Sequence, residues 1–433
     1  MSSLSMVDTF FCFSFCRSGN VSRFQGGLIM NKPTVEKKSS VAGIVVITLA
    51  GCLIFMLNNG IRVNYGLLSA AIERYTGIAA ASVSFSIAIA QLFYGFAQPF
   101  FGALALKKNN SFVLILGALM LAAGFLLTMV SHSPWILTLA MGLLVGGGTG
   151  ALAFGIVMGA VTPVLGAKRA TAVSGIINGA GGIGGAILAP VTQALMDRGG
   201  LRLIMVCYTI LAGSIAAICM WLYTKEQSAE KELAEEEKEK LPILKEISSA
   251  VRSRAFLQVS LAFFTCGFFM AIIETQLYSQ LIDRGIPGSV TALGFTIYGI
   301  FGMIGPVISG FLCVKTKCKW VVGTCYALRP VAILVFYLMK PSVFSAYFFL
   351  VFLGLIGNST VPPTTNLISK LYGVQKVGLL LGTAFVFHQI GSFISTWLGG
   401  ILGSNGQYLP LWIIGGVLSA AAALLCYTIR EDA

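Results

Sequence analysis

The chain has few charged side chains. Asp, Glu, Lys and Arg together make up 10% of its 433 residues, while hydrophobic residues make up 56%. A soluble globular protein carries about 25% charged residues, because its surface faces water. This chain lacks the charge for such a surface, and its high apolar content also excludes a disordered chain. The composition favours a protein that crosses a membrane many times.

The chain also lacks grouped metal ligands. It has only two histidines, and most of its 10 cysteines stand singly inside apolar runs, among them Cys52, Cys207 and Cys266. Cys12 and Cys16 are close together, but no cysteine pair combines metal-ligand spacing with a nearby histidine. We interpret the cysteines as small buried apolar residues. The sequence therefore predicts no metal site and no cofactor.

Motifs for nucleotide binding or catalysis are missing too. The chain has no phosphate-binding loop of the GxxxxGK type. Gly179, Gly181 and Gly184 formally match GxGxxG, but a dinucleotide site needs a preceding strand, and this run lies inside an apolar stretch. We expect this run and the GGGTG at 146–150 to pack the fourth and fifth membrane segments closely. The chain is not predicted to be an enzyme.

Long apolar stretches dominate what is present. The hydrocarbon core of a bilayer is about 30 Å thick and takes about 20 helical residues to cross. Twelve stretches are long enough: 43–65, 79–104, 111–130, 134–160, 170–195, 201–224, 255–282, 289–314, 318–340, 343–371, 376–402 and 407–430. They are predicted to be helices, because backbone polar groups in lipid must be satisfied within their own segment. The predicted fold class is an all-α polytopic membrane protein with twelve transmembrane helices.

The basic residues predict the orientation. Most of the 29 Lys and Arg residues lie in the N-terminal tail, in alternate loops on the same side, and in the polar stretch 225–254. Cationic residues resist translocation, so both termini are predicted to be cytoplasmic. The predicted location is a bacterial plasma (inner) membrane. The net charge of +13 then reflects orientation, and we expect no nucleic-acid partner.

The polar stretch divides the segments into six and six, and the two halves resemble each other. AIERYTGI after the first segment is similar to LIDRGIPG after the seventh. Two parallel six-helix repeats form a known transporter architecture. The predicted parts are a cytoplasmic tail at 1–40, a first half at 41–224, a charged cytoplasmic linker at 225–254, a second half at 255–430 and a cytoplasmic C-terminus at 431–433.

Residues 1–29 fit this scheme poorly. Their apolar run, MVDTFFCFSFC, is too short to span a bilayer, and no basic residue precedes it as in a signal peptide. Met30 begins MNKPTVEKKSS, a basic leader typical of the cytoplasmic side. We expect Met30 to be the native start, with a short interfacial segment as the alternative.

Several segments together resemble the major facilitator superfamily. They are GIRVNYGLL, SIAIAQLFYGFAQPFFGALA, FFTCGFFMAIIETQL, YALRPVAILVFY, STVPPTTNLISKLYG and FVFHQIGSFISTWLGG. They are similar to the bacterial monocarboxylate-porter-like branch, close to the oxalate/formate antiporter group. The resemblance covers about residues 41–430. It implies two six-helix halves that alternate access to a small-molecule substrate, and a monomer in the lipid bilayer.

The cytoplasmic loop motif of that superfamily is incomplete here. It places glycine, then aspartate four residues on, then basic residues. Gly102 and Lys107 match in the first half, as do Gly310 and Lys315 in the second, but Leu106 stands at the first aspartate position. The latch that those acids help to form is therefore not predicted for this chain.

Charges inside the membrane are costly, by at least about 2.5 kcal/mol at a helix centre. Arg62 and Glu274 lie at similar depth in the first and seventh segments, and Asn58, Arg62 and Tyr65 follow helical spacing on one face. We predict a polar cavity there, with Arg62 and Glu274 paired as an outer gate, or with Glu274 carrying a coupling proton. Alternatively, Arg62 extends to the headgroups and Glu274 is a structural, hydrogen-bonded acid.

Three further segments carry polar candidates. Arg329, central in the ninth segment, either packs between helices or contacts substrate, where its planar fork suits a carboxylate. His388 and the adjacent Gln389 either carry a proton or form a helix–helix hydrogen bond. Asn358 precedes the paired prolines 362 and 363, which break the backbone ladder and free carbonyl groups that nearby polar side chains can satisfy or that can line the path.

The leading hypothesis is a secondary active transporter for a small organic anion such as a monocarboxylate, coupled to protons or working by exchange. The eighth segment has no cationic residue, although related carboxylate carriers often have one there. The alternative within the class is proton-coupled efflux of amphipathic drugs or metabolites. The alternative of another class is a membrane metabolite sensor that does not transport.

Overall fold

The computed structural model describes residues 41–165, 167–233, 243–373 and 376–431. The predicted tail 1–40, with Met30, Cys12 and Cys16, lies outside the described residues, as do 234–242 and 432–433. Every described element is a helix. The helices are α1 Val41–Val63, α2 Tyr65–Thr76, α3 Ala80–Lys107, α4 Asn110–Met129, α5 Pro134–Leu165, α6 167–199, α7 201–233, α8 Ile243–Arg252, α9 Arg254–Asp283, α10 Gly288–Lys315, α11 Cys318–Leu338, α12 Val343–Tyr372, α13 Val377–Gly403 and α14 Tyr408–Tyr427.

Twelve of these helices are long and apolar enough to cross a bilayer. Eleven continuous apolar helices are found among the described residues, and one of them, Val173–Glu226, is 54 residues long. Gly200 interrupts it with φ 61° and ψ −158°, a conformation open to glycine because it has no Cβ. The chain turns back at Gly200, so α6 and α7 cross separately. The predicted twelve crossings are confirmed, and α2 and α8 lie outside them.

The two halves share one packing pattern. In the first half α1 packs on α6, α3 on α5 and α4 on α7; in the second, α9 packs on α13, α10 on α12 and α11 on α14. Between the halves, α3 meets α13 and α6 meets α10. The repeat seen in the sequence is therefore a repeat of helix packing. We call the end at which α1 begins and α14 ends the terminal face, and the other end the opposite face.

Glycines bring equivalent helices into backbone contact. A side chain on Gly184 of α6 would collide with the backbone of Met56 in α1, and one on Gly391 of α13 would collide with the backbone of Phe264 in α9. The prediction that the 179–185 run packs on the fourth segment was wrong, because Gly181, Gly184 and Gly185 face α1, while Gly179 and Gly182 face α10. Small residues serve this purpose because helices in lipid associate through close van der Waals packing.

The helices α5 and α12 are interrupted at the same place in the two halves. In α5 a π-helical turn at Thr138–Val145 precedes a break at Leu152, where φ is −94° and ψ is 16°. In α12 a 3₁₀ turn at Asn358–Thr360 stands directly before the paired prolines. Each break leaves a carbonyl without its usual helical donor, and each carbonyl needs another partner in the membrane.

Candidate functional site

Arg62 lies at the end of α1 and faces the other half of the bundle. Its Nη2 donates a hydrogen bond to Oε1 of Gln91 in α3 at 3.3 Å. Its guanidinium carbon stands 3.9 Å from the centre of the Tyr94 ring, an attractive arrangement for a cation. The Arg62 side chain is only 11% exposed. The headgroup alternative therefore does not describe this side chain, which is enclosed between helices.

Glu274 lies in a five-residue π-helical turn of α9, Ile272–Gln276, all of which is buried. Its Oε2 accepts from Nε2 of Gln91 at 3.2 Å and stands 3.9 Å from Nη2 of Arg62. Turns of this kind inside α-helices are frequent at functional sites. The structure brings the two predicted partners together, with Gln91 hydrogen-bonded to both; a gating role for the pair stays a prediction.

The polar contacts continue from Gln91 into α13. Nε2 of Gln389 donates to the backbone carbonyl of Gln91 at 2.7 Å, and Oε1 of Gln389 lies 2.7 Å from Nδ1 of His388. The His388 ring also packs on Phe263 and Phe385, with centroid distances of 5.0 and 5.5 Å. We call Arg62, Gln91, Glu274, Gln389 and His388 the central network; it joins α1, α3, α9 and α13 across both halves.

Asn58 and Tyr65 extend the polar face of α1 and α2. Nδ2 of Asn58 donates to the Leu152 carbonyl at 2.9 Å, which satisfies the carbonyl freed by the break in α5. Oδ1 of Asn58, Nε of Arg62 and the hydroxyl of Tyr65 are buried, and each lacks a hydrogen-bond partner within the described part of the chain. Buried polar atoms are rarely left unpaired, so this face has donors and an acceptor to offer a bound molecule.

Arg329 is not part of the central network. It is fully buried, and its Nη2 donates to the Gly357 carbonyl at 3.0 Å and contacts Sγ of Cys266 at 3.3 Å. Its guanidinium carbon stands 4.7 Å from the ring centres of Phe269 and Tyr326. It therefore packs within the second half and donates to the carbonyl freed at the break in α12, while its Nε and Nη1 lack a hydrogen-bond partner among the described residues. Which of its two predicted roles it serves stays a prediction.

Asn358 lies in the 3₁₀ turn of α12 itself and is half-buried. A Cβ on Gly302 of α10 would stand 3.6 Å from Nδ2 of Asn358. The structure therefore places Asn358 against α10 within its own half. The threonines that follow the turn bond carbonyls of their own helix: Thr364 to Thr360 at 2.7 Å and Thr365 to Val361 at 2.9 Å.

The predicted loop-motif residues lie at the terminal face, where Lys107 and Lys315 are exposed at the ends of α3 and α10. A Cβ on Gly102 would meet no neighbour within 4 Å, and one on Gly310 would meet only Pro362 at 3.9 Å. The matching geometry of the two halves at this face instead comes from two acids, one in the last part of α7 and one just after α14.

These acids, Glu226 and Glu431, bond the first backbone N–H groups of α4 and α11. Glu226 accepts from the N–H groups of Asn110 and Ser111 at 3.1 and 2.7 Å. Glu431 accepts from those of Cys318 and Lys319 at 3.0 and 3.1 Å. Such contacts satisfy free N–H groups and place negative charge at a helix N-terminus.

The linker prediction needs a correction at Glu226. The expected solvated tether began at 225, but α7 continues to 233 and Glu226 is fully buried against α4. The matched positions of the two acids after the sixth and twelfth apolar segments were a signal for this role. Gln91 was also missed, although an amide within an apolar run is visible in the sequence.

The bundle is closed near the opposite face. A Cβ on Gly66 of α2 would lie 3.0 Å from the Glu274 carbonyl oxygen, so the two backbones touch. We call this contact between α2 and α9 the seam. The Tyr278 hydroxyl donates to Gln193, which joins α9 to α6. Above this seam lies a cavity of about 620 Å³ whose polar lining includes Glu73, Asp197 and Asp283. We call it the vestibule.

The vestibule acids differ in environment. Burial raises the pKa of Glu73, which lies in α2 outside the spanning segments; the Ser69 hydrogen bond lowers it, the nearby Asp283 raises it further, and the net direction is upward. The Ser69 hydroxyl donates to Oε1 of Glu73 at 3.0 Å, and the Tyr408 hydroxyl donates to Oδ2 of Asp283 at 2.8 Å.

On the side of the terminal face, three residues near the central network are less enclosed. His388 is half-buried, while Gly155 of α5 and Gly382 of α13 are exposed, and a Cβ on either would meet no atom within 4 Å.

The chain was compared with known families and proteins. The sequence profile described as the Major Facilitator Superfamily matches residues 47–328 and 281–433. An uncharacterized MFS-type transporter of Bacillus subtilis, YcxA, is 23% identical over 330 residues, which is 74% of this chain and 78% of the relative. An MFS-type transporter of Gibberella moniliformis is 23% identical over 350 residues, 79% of this chain and 81% of the relative.

The fold also resembles solved structures. A D-xylose–proton symporter superposes with a TM-score of 0.68 at 13% identity, covering 89% of this chain and 97% of that one. An inward-open structure of the xylose transporter of E. coli gives a TM-score of 0.66 at 14% identity, with 89% and 96% covered. At this identity the likeness concerns the fold alone.

Proposed function

The chain belongs to the Major Facilitator Superfamily and is a transporter of that family, and we propose that its cargo is a small organic anion, such as a monocarboxylate, moved with a proton or by exchange. The central network supports this proposal. It holds one fixed cation, Arg62, and one acid, Glu274, 3.9 Å apart where the two halves meet. A guanidinium binds a carboxylate through two parallel N–H groups.

Charge balance in the membrane gives a reason for coupling. Arg62 and Glu274 together are neutral, and a substrate carboxylate beside Arg62 would add a negative charge where charge is costly. A proton on Glu274 cancels that charge, so the site with anion and proton bound is neutral again. In this proposal Glu274 leaves Arg62 when the anion arrives, and the anion and the proton cross together.

His388 is proposed as the second proton carrier, on the side of the terminal face. Histidine is a common proton carrier in proteins; His388 is half-buried, and Gln389 connects it to the backbone of Gln91. Asn58 and Tyr65 are proposed to supply further contacts to the bound molecule. Arg329 and Asn358 are proposed to act through the bend of α12 and not by touching substrate.

Access is proposed to alternate by rocking of the two halves about the central network. Both termini are proposed to be cytoplasmic in a bacterial plasma membrane, which makes the terminal face the cytoplasmic one and the vestibule the outer one. The working unit is proposed to be a monomer, with the lipid bilayer as its surroundings.

The test is uptake of radiolabelled monocarboxylates into proteoliposomes under an imposed pH gradient. Wild-type protein should accumulate label, and Arg62→Gln should lower uptake at least about tenfold, because a charged hydrogen-bond donor to the substrate is lost. Glu274→Gln should keep exchange but lose the response to the gradient. Arg202→Gln is the matched control, since Arg202 of α7 is exposed and does not line the vestibule. Unchanged uptake by Arg62→Gln would refute the proposal.

Efflux of amphipathic compounds is the second candidate. A lipid-facing, apolar groove of about 750 Å³ lies between α1, α6 and α10, lined by Leu53, Met56, Ile183 and Met303 among others. An amphipathic molecule can enter such a groove directly from the bilayer. Export of lipophilic cations that stops in Glu274→Gln, with no monocarboxylate uptake by wild-type protein, would favour this function.

A further inference from the structure

Gln91 occupies a special place in the central network. It is fully buried, and its side chain bonds Arg62 through Oε1 and Glu274 through Nε2. Its backbone carbonyl accepts the hydrogen bond from Gln389 of the other half. One amide group therefore lies between the cation and the acid, while its own backbone stays tied to α13.

The charges around Gln91 determine which way its amide points. With the carbonyl oxygen towards Arg62 and the NH₂ group towards the Glu274 carboxylate, both neighbours receive a suitable partner. In the reversed orientation, NH₂ would face the N–H donors of Arg62, and the carbonyl oxygen would face carboxylate oxygens. The observed orientation is thus the one that an ionised Glu274 requires.

A proton on Glu274 changes that requirement. The carboxyl group then carries an O–H and needs an acceptor, since a buried donor left unpaired is costly. The Gln91 carbonyl oxygen meets this need if the amide rotates by half a turn about its terminal bond. Its NH₂ group then faces Arg62, donor against donor, and Arg62 loses both the amide oxygen and the carboxylate.

We propose that Gln91 is a positioning residue that rotates its amide when Glu274 takes up a proton, and so frees Arg62 for the substrate carboxylate. This inference rests on the proposed function and specifies how the proton and the anion are coupled. The proton comes from water and forms the O–H bond on Glu274, and it leaves by the same bond. Arg62 remains a cation throughout, and its unpartnered Nε adds a second donor for the anion.

The groups that face Glu274 are compatible with this switch. Arg62 is the one cation within 4 Å of its carboxylate among the described residues. Tyr65, Tyr94 and Tyr298 approach Arg62 or Glu274 from α2, α3 and α10, and a phenol is neutral near pH 7. Among the described residues, His388 reaches the rest of the network through Gln389 and also lies beside Cys266, so its charge reaches Glu274 indirectly.

An infrared titration of the full-length protein tests the switch without any substrate. Bands of Glu274 and Gln91 are assigned by their loss in Glu274→Gln and Gln91→Leu. The amide C=O band of Gln91 should shift with the same midpoint as the carboxyl band of Glu274, because the two groups exchange hydrogen bonds together. A Gln91 band that stays still while Glu274 titrates would overturn the inference.

Transport provides the second test, with lactate as the probe. In wild-type protein the apparent KM for lactate should fall about tenfold for each unit of pH lowered, as expected for one proton bound with one anion. In Gln91→Leu this slope should drop below about twofold while lactate exchange at equal pH continues. An unchanged slope in Gln91→Leu would contradict the proposal.

Gln98→Leu is the matched control, because Gln98 lies in the same helix but bonds only the Tyr94 carbonyl of that helix, at 3.1 Å. It should keep the wild-type slope. If wild-type protein does not move monocarboxylates at all, the proposed function fails, whereas the infrared result still decides whether Gln91 follows the proton on Glu274.

Discussion

Each half of the molecule contains one broken helix, α5 in the first half and α12 in the second, and the two occupy equivalent places. The carbonyl freed at each break is satisfied by a different kind of side chain. In the first half the Leu152 carbonyl of α5 accepts from the neutral amide of Asn58, which comes from α1. In the second half the Gly357 carbonyl of α12 accepts from Arg329, which comes from α11. The backbone repeats between the halves, and the side chains that support it do not.

This difference separates a cation enclosed within one half, Arg329, from a cation at the contact between the halves, Arg62. In the first half the amide of Asn58 bonds the freed carbonyl of α5. Arg62, one turn further along α1, is therefore not needed there and lies beside Glu274 at the seam. The cation of the second half, Arg329, is enclosed within that half and fully buried. An arginine in the membrane is thus informative only when its neighbours are known, since both are equally conspicuous in the sequence.

The largest expected effect is a loss of stability when Arg329 or Asn58, the side chains that bond the two freed carbonyls, is removed. Arg329→Ala should lower the free energy of unfolding by about 3 kcal/mol, because it leaves a cavity and removes a charged donor from the Gly357 carbonyl, which keeps only the long contact from the Thr360 hydroxyl at 3.5 Å. Asn58→Ala should lower it by about 1 kcal/mol, since the Leu152 carbonyl loses a donor there too, but the donor is a neutral amide and the side chain removed is smaller. Thermal unfolding of both variants in detergent measures the difference.

Arg329→Met separates the two causes, because methionine refills much of the space without donating to Gly357. It should unfold at a temperature between those of Arg329→Ala and wild-type protein. Equal losses in Asn58→Ala and Arg329→Ala would show that the two halves depend on these supports alike.

Glu226 and Glu431, which bond the N-termini of α4 and α11, should differ less in their contribution to the free energy of unfolding. Glu226→Gln should lower the free energy of unfolding by about 2 kcal/mol, because a buried charged acceptor is lost from the N-terminus of α4. Glu431→Gln should cost about 1 kcal/mol, since Lys370, which bonds it at 2.6 Å, is 48% exposed and its charge is screened. Chemical unfolding compares the two; a larger loss in Glu431→Gln would reverse this ranking.

The change in protein stability at acid pH that is due to Glu431 should be smaller still. Burial raises the pKa of this carboxyl, but the hydrogen bonds from Lys370 and from the backbone of Lys319 and Cys318 outweigh it, and the net pKa lies below its usual 4.5. Stability from Glu431 is therefore present above about pH 4.5 and is lost as the pH falls through the lowered value. Glu431→Gln should flatten the acid side of the curve of thermal midpoint against pH; an unchanged acid side would contradict this.

The smallest effect on stability is expected from Glu73 in the vestibule, and there stability should fall, not rise, as the pH is raised. The pKa of Glu73 is raised above its usual 4.5, so the folded protein binds a proton more tightly than the unfolded chain. Stability should decrease as the pH rises from about 4.5 through the raised value. Glu73→Gln should remove this decrease, and Asp283→Asn should reduce it. A thermal midpoint that rises over this range in wild-type protein, or falls equally in Glu73→Gln, would refute the assignment.

Much of the fold could be predicted from the chain alone. Apolar segments of sufficient length must become helices in lipid, and their number does not depend on how they pack, so twelve crossings were predictable. The place of the break in α12 was also visible, because Pro362 and Pro363 cannot donate to the preceding turn. The partners of the glycines 179–185 were not predictable, since a run of small residues fits any close neighbour.

The sequence by itself determined the number of crossings, the division into two related halves and the small set of polar groups in the membrane, because each follows from the cost of leaving polar groups in lipid. Only the tertiary structure decided which of these groups meet. Arg62 and Glu274 are more than two hundred positions apart, and it is the packing of α3 against α13 that sets Gln91 between them. Arg329 was separated from them for the same reason, because its helix faces Cys266 and Gly357 and not the seam.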